Sequence, residues 1–118
     1  MALHNTLGKL GEILALAWLR ENGFHIREHN WRHGRYEIDV IAIRDEVLHF
    51  VEVKSRYDSP FGNPEDSVTK KKFRYLKKAA QGYMNQCPGH QWIRYDILAI
   101  TFRRGLEPLY FFLEDVYL

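Results

Sequence analysis

Two apolar strands, each interrupted by a single acid, constrain this chain more than any other feature. Ile38-Asp39-Val40-Ile41-Ala42-Ile43 and Leu48-His49-Phe50-Val51-Glu52-Val53 are rich in β-branched and aromatic residues, the mark of strands that pack on a core. Only Arg44-Asp45-Glu46 forms a polar break between them, short enough for a hairpin. Charges set among such neighbours are costly unless they are paired or bound to a metal. Side chains alternate along a strand, so Glu52 and Lys54 share a face, about 7 Å apart. Opposed residues of an antiparallel pair point to the same side. If Asp39 faces Glu52, the register pairs Ile43 with Leu48 and leaves a four-residue loop, Arg44 to Val47, or the two-residue loop Asp45-Glu46 on closing further. An odd loop without a bulge would send the acids to opposite faces.

Two convergent carboxylates make a hard oxygen site suited to magnesium, which keeps several waters and bridges to phosphate. A neighbouring ammonium can orient or deprotonate an attacking water, or neutralise charge developing on a phosphate. The same three residues would also serve as a structural ion pair across a hairpin.

The rest of the chain frames these strands. A first helix is expected from about Asn5 to Asn22, stopped by Gly23. Leu7, Leu10, Leu14, Ala17 and Trp18 follow the helical period, and Ala15, Leu16 and Leu19 add a second stripe, so it is buried on most sides. Gly8 and Gly11 each cost about 1 kcal/mol relative to alanine in a helix interior, which close approach of another backbone would offset. Strands are expected over Phe24 to His29, Tyr36 to Ile43 and Val47 to Lys54. Ser59-Pro60-Phe61-Gly62-Asn63-Pro64 is a loop. A second helix begins near Ser67 or Thr69, carries Phe73, Leu76, Ala80 and Tyr83 inward with its lysines outward, and ends at Cys87-Pro88-Gly89. Trp92 to Phe102 and Leu109 to Leu113 complete the order as strands. This is an α/β domain, αβββαβ plus a terminal strand, on a mixed sheet. At 118 residues, 46% hydrophobic and 27% charged, the whole span 1–118 fits one compact domain rather than a disordered chain.

Several blocks match a known pattern in order and spacing. Asp39, a spacer of 12 residues and Glu52-Val53-Lys54 resemble the PD-(D/E)xK nuclease motif. Together with Gly8 to Glu12, Asn30-Trp31-Arg32, Glu37 to Ala42, Phe50 to Arg56, Phe61 to Pro64, Val68 to Lys72, Ala79-Ala80 and Arg94 to Ile100, they resemble the YraN-like bacterial proteins. That group is placed near Holliday junction resolvases in the restriction-endonuclease-like superfamily. The resemblance implies that fold and a metal-dependent nuclease acting on DNA, including branched DNA. It implies magnesium, with manganese as a substitute, held by Asp39, Glu52 and the Val53 carbonyl. It makes Lys54 the catalytic lysine and Glu12, from the first helix, an additional acid. Two departures stand out: Ile38 replaces the superfamily's proline before the first acid, and Tyr36 replaces the usual glycine before Glu37.

The formal charge is +2, too small to identify a partner, but its distribution is uneven. Lys70, Lys71, Lys72, Arg74, Lys77 and Lys78 crowd one stretch. Lys70, Lys71, Lys72, Arg74 and Lys78, with Arg32 and Arg56 from the motif blocks, are candidate contacts to nucleic-acid phosphates; a solvated helix face is the plain alternative. Glu37 can be a further ligand, a partner for Lys54 or a surface acid. His25, His29 and His33 would stripe a helix but fall on a strand and turn, against a zinc site. Asp96 reads as structural. The single Cys87 excludes an intramolecular disulfide and a cysteine-based zinc cage. With no secretory signal and no membrane-length apolar run, a cytoplasmic protein is expected. A junction resolvase needs two sites, hence a homodimer. The competing reading is a nucleic-acid-binding module that keeps this fold without cutting.

Overall fold

The computed structural model describes residues 2–58, 69–90 and 92–116. A helix, α1 (Ala2–Glu21), leads into three strands: β1 (His25–His33), β2 (Tyr36–Arg44) and β3 (Val47–Tyr57). A second helix, α2 (Lys70–Gln86), precedes β4 (Ile93–Arg103) and β5 (Leu106–Leu113). The strands form one mixed sheet in the order β1-β2-β3-β4-β5. All neighbours are antiparallel except β3 and β4, whose parallel pairing requires the crossover that α2 occupies. This is the α/β arrangement the sequence pattern predicts. The expected loop Ser59 to Pro64, and Ser67 as a helix cap, lie outside the described residues.

Each helix covers one face of the sheet. On one side, Ala15 and Leu19 of α1 meet Val40, Ala42, Val51, Leu98 and Ile100. On the other, Phe73, Leu76, Ala80 and Tyr83 of α2 meet Ile41, Leu48 and Phe50. The helix ends follow their local chemistry. Gly23 takes a φ of +88° and the Phe24 N–H donates to Leu19 O, a glycine-terminated helix end. At α2, the Thr69 hydroxyl accepts from the Lys72 N–H at 3.2 Å, an N-cap.

α1 starts at Ala2 rather than near Asn5, and three strand boundaries also differ from expectation. β1 continues past His29 to His33 because a two-residue turn, Gly34-Arg35, folds it directly onto β2. β3 runs on to Tyr57 because it stays paired with β4 as far as Phe102. β5 starts at Leu106 and includes Pro108, which an edge strand tolerates. The β2–β3 hairpin closes on Asp45 and Glu46, with φ of +52° and +66°, a two-residue connection with both central residues left-handed.

Asp96 is fully buried on β4 beside the nearly buried His49 of β3. His49 Nδ1 donates to Asp96 Oδ2 at 2.5 Å, and the Asp115 N–H donates to Asp96 Oδ1 at 3.0 Å. Asp96 therefore ties the segment after β5 to the sheet, a structural role.

The two glycines of α1 behave differently. A Cβ on Gly11 would lie 2.0 Å from Ser55 Oγ and 2.9 Å from its Cβ, whereas a Cβ on Gly8 would meet nothing within 4 Å. Close approach thus explains Gly11 but not Gly8. Gly11→Ala should push α1 off β3 and lower stability by about 1–3 kcal/mol in urea denaturation. Gly8→Ala should raise it by up to about 1 kcal/mol. Equal effects of the two substitutions would remove the Gly11–Ser55 contact as the seat of α1 on β3.

Candidate metal centre

The site forms where the β2–β3 ladder stops. Paired residues run from Arg44 and Val47 to Val40 and Val51; the next opposed pair is Asp39 and Glu52. The ladder thus keeps the register that brings the acids together. At that point the Val53 N–H donates to Asp39 Oδ2 at 2.8 Å, so a side chain takes a strand's place as acceptor. The edge of β1 is distorted at the same level. Asn30 has a φ of +52° between the pairs His29–Val40 and Trp31–Ile38, a conformation asparagine tolerates better than most residues. Ile38 joins the α2-side core while Val40, two residues on, joins the α1-side core. Regular alternation would put both on one face, so β2 rolls at Asp39.

That roll lets Asp39 border both sides of the sheet. On the α2 side, a cleft of about 220 Å³ holds Asp39, Glu52, Lys54 and Lys72 together with Tyr36 and Tyr75. On the α1 side, a second cleft of about 270 Å³ is lined by Gly8, Glu12, Asp39, Val53, Lys54 and Ser55. Glu12 is exposed and enters only from this second side, across Asp39 from Glu52. A larger cleft, about 1070 Å³, is lined among the described residues by Tyr57, Asp58, Phe102, Arg103, Arg104 and Leu106. It shares no residue with the acid pair and holds no second acid beside Asp58.

The electrostatics of the pair are those of two acids held too close in too little water. Burial first, and the Glu52 carboxylate second, push the Asp39 carboxyl up to about 8 from an ordinary 3.8, against the opposing pull of the Val53 N–H. Burial also raises Glu52, which Lys54 partly offsets. The two carboxyl groups are close enough that each shifts the titration of the other. With one proton on the pair, each keeps the other in place. Lys54 Nζ stands 3.6 Å from Glu52 Oε1, both side chains about one-fifth exposed. Lys72, in the first turn of α2, approaches Lys54 closely enough for that neighbour to lower its own pKa.

Lys72 is therefore not simply one of the outward lysines of α2; it borders the acids. Its placement follows from the Thr69 cap and from how Phe73 and Leu76 seat the helix on the sheet, neither of which its local sequence reveals. Lys70, Lys71, Arg74 and Lys78 are exposed along the same helix, as expected. Arg32 is largely exposed and pairs loosely with Glu37 at 3.7 Å; Glu37 is close enough to raise Asp39 slightly. Arg56 is half-buried on β3. The Val53 contact at the site is made by its N–H. His25, His29 and His33 all lie exposed on β1, and among the described residues no three His, Cys, Asp or Glu side chains gather as a metal cage. Also among the described residues, no helix is long and apolar enough to cross a membrane.

Comparison with known proteins gives the chain its family. The model of the family described as "Uncharacterised protein family UPF0102" matches residues 11–100, which include Glu12, Asp39, Glu52, Lys54 and Lys72. A UPF0102 protein of Bacteroides thetaiotaomicron is 40% identical over 105 residues, covering 89% of this chain and 87% of its own. A UPF0102 protein of Christiangramia forsetii is 43% identical over 100 residues, covering 85% and 84%. One from Chloroherpeton thalassium is 38% identical over 119 residues, covering 93% and 92%. With a family match over most of its length and relatives this similar from end to end, the chain belongs to the UPF0102 family.

Proposed function

We propose that this chain is a divalent-metal-dependent nuclease that hydrolyses phosphodiester bonds in DNA. The observation that carries the reading is the pairing of Asp39 with Glu52 at the point where their ladder ends, with Lys54 and Lys72 beside them. At neutral pH and above, burying two carboxyl groups against each other is a poor way to hold a fold, because they repel when both are ionised and lose solvation. A dication turns that liability into a binding site. The donor set is all oxygen, and two carboxylates leave room for the waters and phosphate oxygens that magnesium keeps. Asp39 and Glu52 are the residues that would hold it, with the Val53 carbonyl as a third ligand, and Mn2+ would fit the same donors.

When bound, the metal supplies Lewis acidity and a water of lowered pKa. The chain supplies the rest. The Val53 N–H fixes the Asp39 carboxylate in orientation. Lys54 places a positive charge at Glu52, where it meets both an attacking water and the phosphate oxygens on which charge accumulates. Lys72 adds a second cation on the α2 side, and Lys70, Lys71, Arg74 and Lys78 continue a positive surface along the helix for flanking phosphates.

The test is a cleavage screen of labelled linear, flapped and four-way DNA with Mg2+, Mn2+ or EDTA, following the activity through successive columns. Cleavage should require the metal. At sub-saturating metal it should also rise with pH below about 8, because the proton that Asp39 holds there must leave before the site can bind a cation, and more metal should move the rise to lower pH. Above that value it should level off. No metal-dependent cleavage on any of the three substrates would leave a DNA-binding module as the better reading.

A further inference from the structure

The acid pair occupies only one end of its cleft. The other end is built from aromatic rings and cations. Tyr36, the first residue of β2, and Tyr75 of α2 lie with ring centroids 5.2 Å apart and planes inclined by 52°. Arg35, on the exposed hairpin turn, holds its guanidinium carbon 5.4 Å from the Tyr36 centroid and 5.8 Å from that of Tyr75. Two further cations approach from α2: Lys78 Nζ lies 5.8 Å from the Tyr36 centroid and Lys71 Nζ 5.9 Å from that of Tyr75. Tyr75 remains 36% exposed, and Arg35 lies in solvent.

This is an unusual use of residues for stability alone. Exposed cation–π contacts contribute only about 0.5–1 kcal/mol each, and four of them, from three cations, converge on two rings at a surface. The cations also repel one another, and Glu37, which lines the cleft with Arg35 and Tyr36, is already engaged with Arg32. The arrangement gains a complement if a flat aromatic ring flanked by negative charge enters the cleft. A nucleobase with its flanking phosphates is such a group. Bases stack on aromatic side chains and on arginine planes, and they do so only where they are not paired inside a duplex.

We propose that Arg35, Tyr36 and Tyr75 form a stacking subsite for an unpaired nucleobase, placed beside the phosphodiester that the Asp39–Glu52 end of the cleft would receive. The inference rests on the nuclease reading for the identity of that neighbouring phosphodiester. It narrows the substrate to nucleic acid that is single-stranded, or opened, next to the cut. Lys71 and Lys78 would exchange their ring contacts for the phosphates on either side of the stacked base. Tyr36 takes on meaning here: a glycine at that position would leave the cleft with one ring and no platform.

Binding measured without turnover tests the subsite separately from the chemistry. Fluorescence anisotropy in EDTA would compare a labelled 12-nucleotide single strand of mixed sequence with its blunt duplex. Tyr75→Ala should weaken binding of the single strand about 5- to 150-fold, the range for one stacked base, and change duplex binding less than twofold. Its salt dependence should match that of the wild type, because no phosphate contact is lost. Tyr75→Phe should bind like the wild type. A single abasic position moved along the strand should cost the wild type affinity at one place and cost Tyr75→Ala nothing more there. The wild-type abasic scan keeps the test valid should Tyr75→Ala fold poorly, and a flat scan would overturn the subsite. So would equal losses on single strand and duplex. A protein that passes these tests yet never cuts keeps the subsite and loses the nuclease reading; one that cuts without regard to Tyr75 loses the subsite alone.

Discussion

Replacing Asp39 by asparagine should abolish metal-dependent cleavage and, in the metal-free protein, raise stability at the same time. The two effects share one cause. In the folded chain Asp39 keeps its proton up to about 8, against an ordinary 3.8. Between those values the unfolded chain has released a proton that the folded chain still holds. Folding stability contributed by this group is therefore complete below about pH 4, falls as pH rises, and levels off above about 8. At about 1.4 kcal/mol per pH unit the gap corresponds to at most about 6 kcal/mol, and Glu52 competes for the same proton. A gain of about 2 kcal/mol or more for Asp39→Asn at pH 8 is expected, with little gain at pH 4. Asparagine retains a side-chain oxygen for the Val53 N–H, so the strand geometry survives. Urea denaturation in EDTA at both pH values measures the gain. Added Mg2+ should then stabilise the wild type at pH 8 and leave the variant unmoved. A variant less stable than the wild type at pH 8 would mean that Asp39 is a structural acid, and the metal site would go with it.

Much of this site can be read from the amino-acid order. The apolar content of β2 and β3 locates the strands, and the shortness of Arg44-Asp45-Glu46 allows, without forcing, a register that leaves Asp39 opposite Glu52. The observed pairing of Ile43 with Leu48 is the one that even loop lengths allow. Residues Phe73, Leu76, Ala80 and Tyr83 reveal the buried side of α2 through their period. What the order conceals is how the parts turn against one another. Strict alternation cannot anticipate the roll at Asp39, because it depends on Asn30 adopting a left-handed conformation in a neighbouring strand. Nor can the helical period separate Lys72 from Lys71 or Lys78. All three lie on the polar side, and only the seating of α2 across β2 brings one of them to the acids. Arg35, Tyr36 and Tyr75 come from a turn, a strand end and a helix, so their convergence is tertiary throughout.

The position of Asp39 also accounts for the separate placement of Glu12. Because β2 rolls there, Asp39 is reached from both faces, by Glu52 on one side and by Glu12 on the other, with Lys54 bordering both clefts. Gly11 sets how near Glu12 can come, since its missing side chain lets α1 lie against Ser55.

Lys54→Ala should cut the rate of cleavage by about 100- to 1000-fold, the range for losing one group that stabilises developing charge, while leaving metal binding at high pH as tight as before or tighter. The lysine opposes a cation by Coulomb repulsion, but it also helps keep Glu52 ionised. Above the pH at which both acids are ionised only the repulsion matters, and its removal favours the metal. At lower pH the loss of Lys54 lets Glu52 hold its proton more strongly, so the rate and affinity profiles of the variant should shift to higher pH. Lys72 complicates the count in a definite way. Lys72 stands close beside Lys54, so in Lys54→Ala it is able to take up part of the work. Lys72→Ala in the wild type should therefore cost less than Lys72→Ala in a Lys54→Ala background, a non-additive pair. Single-turnover rates across pH, with metal affinity measured by titration calorimetry, separate these effects. Should Lys54→Ala cleave as fast as the wild type, Lys54 acts on no reacting atom. Should it lose metal affinity at pH 9, its place is structural, holding Glu52 rather than serving the phosphate.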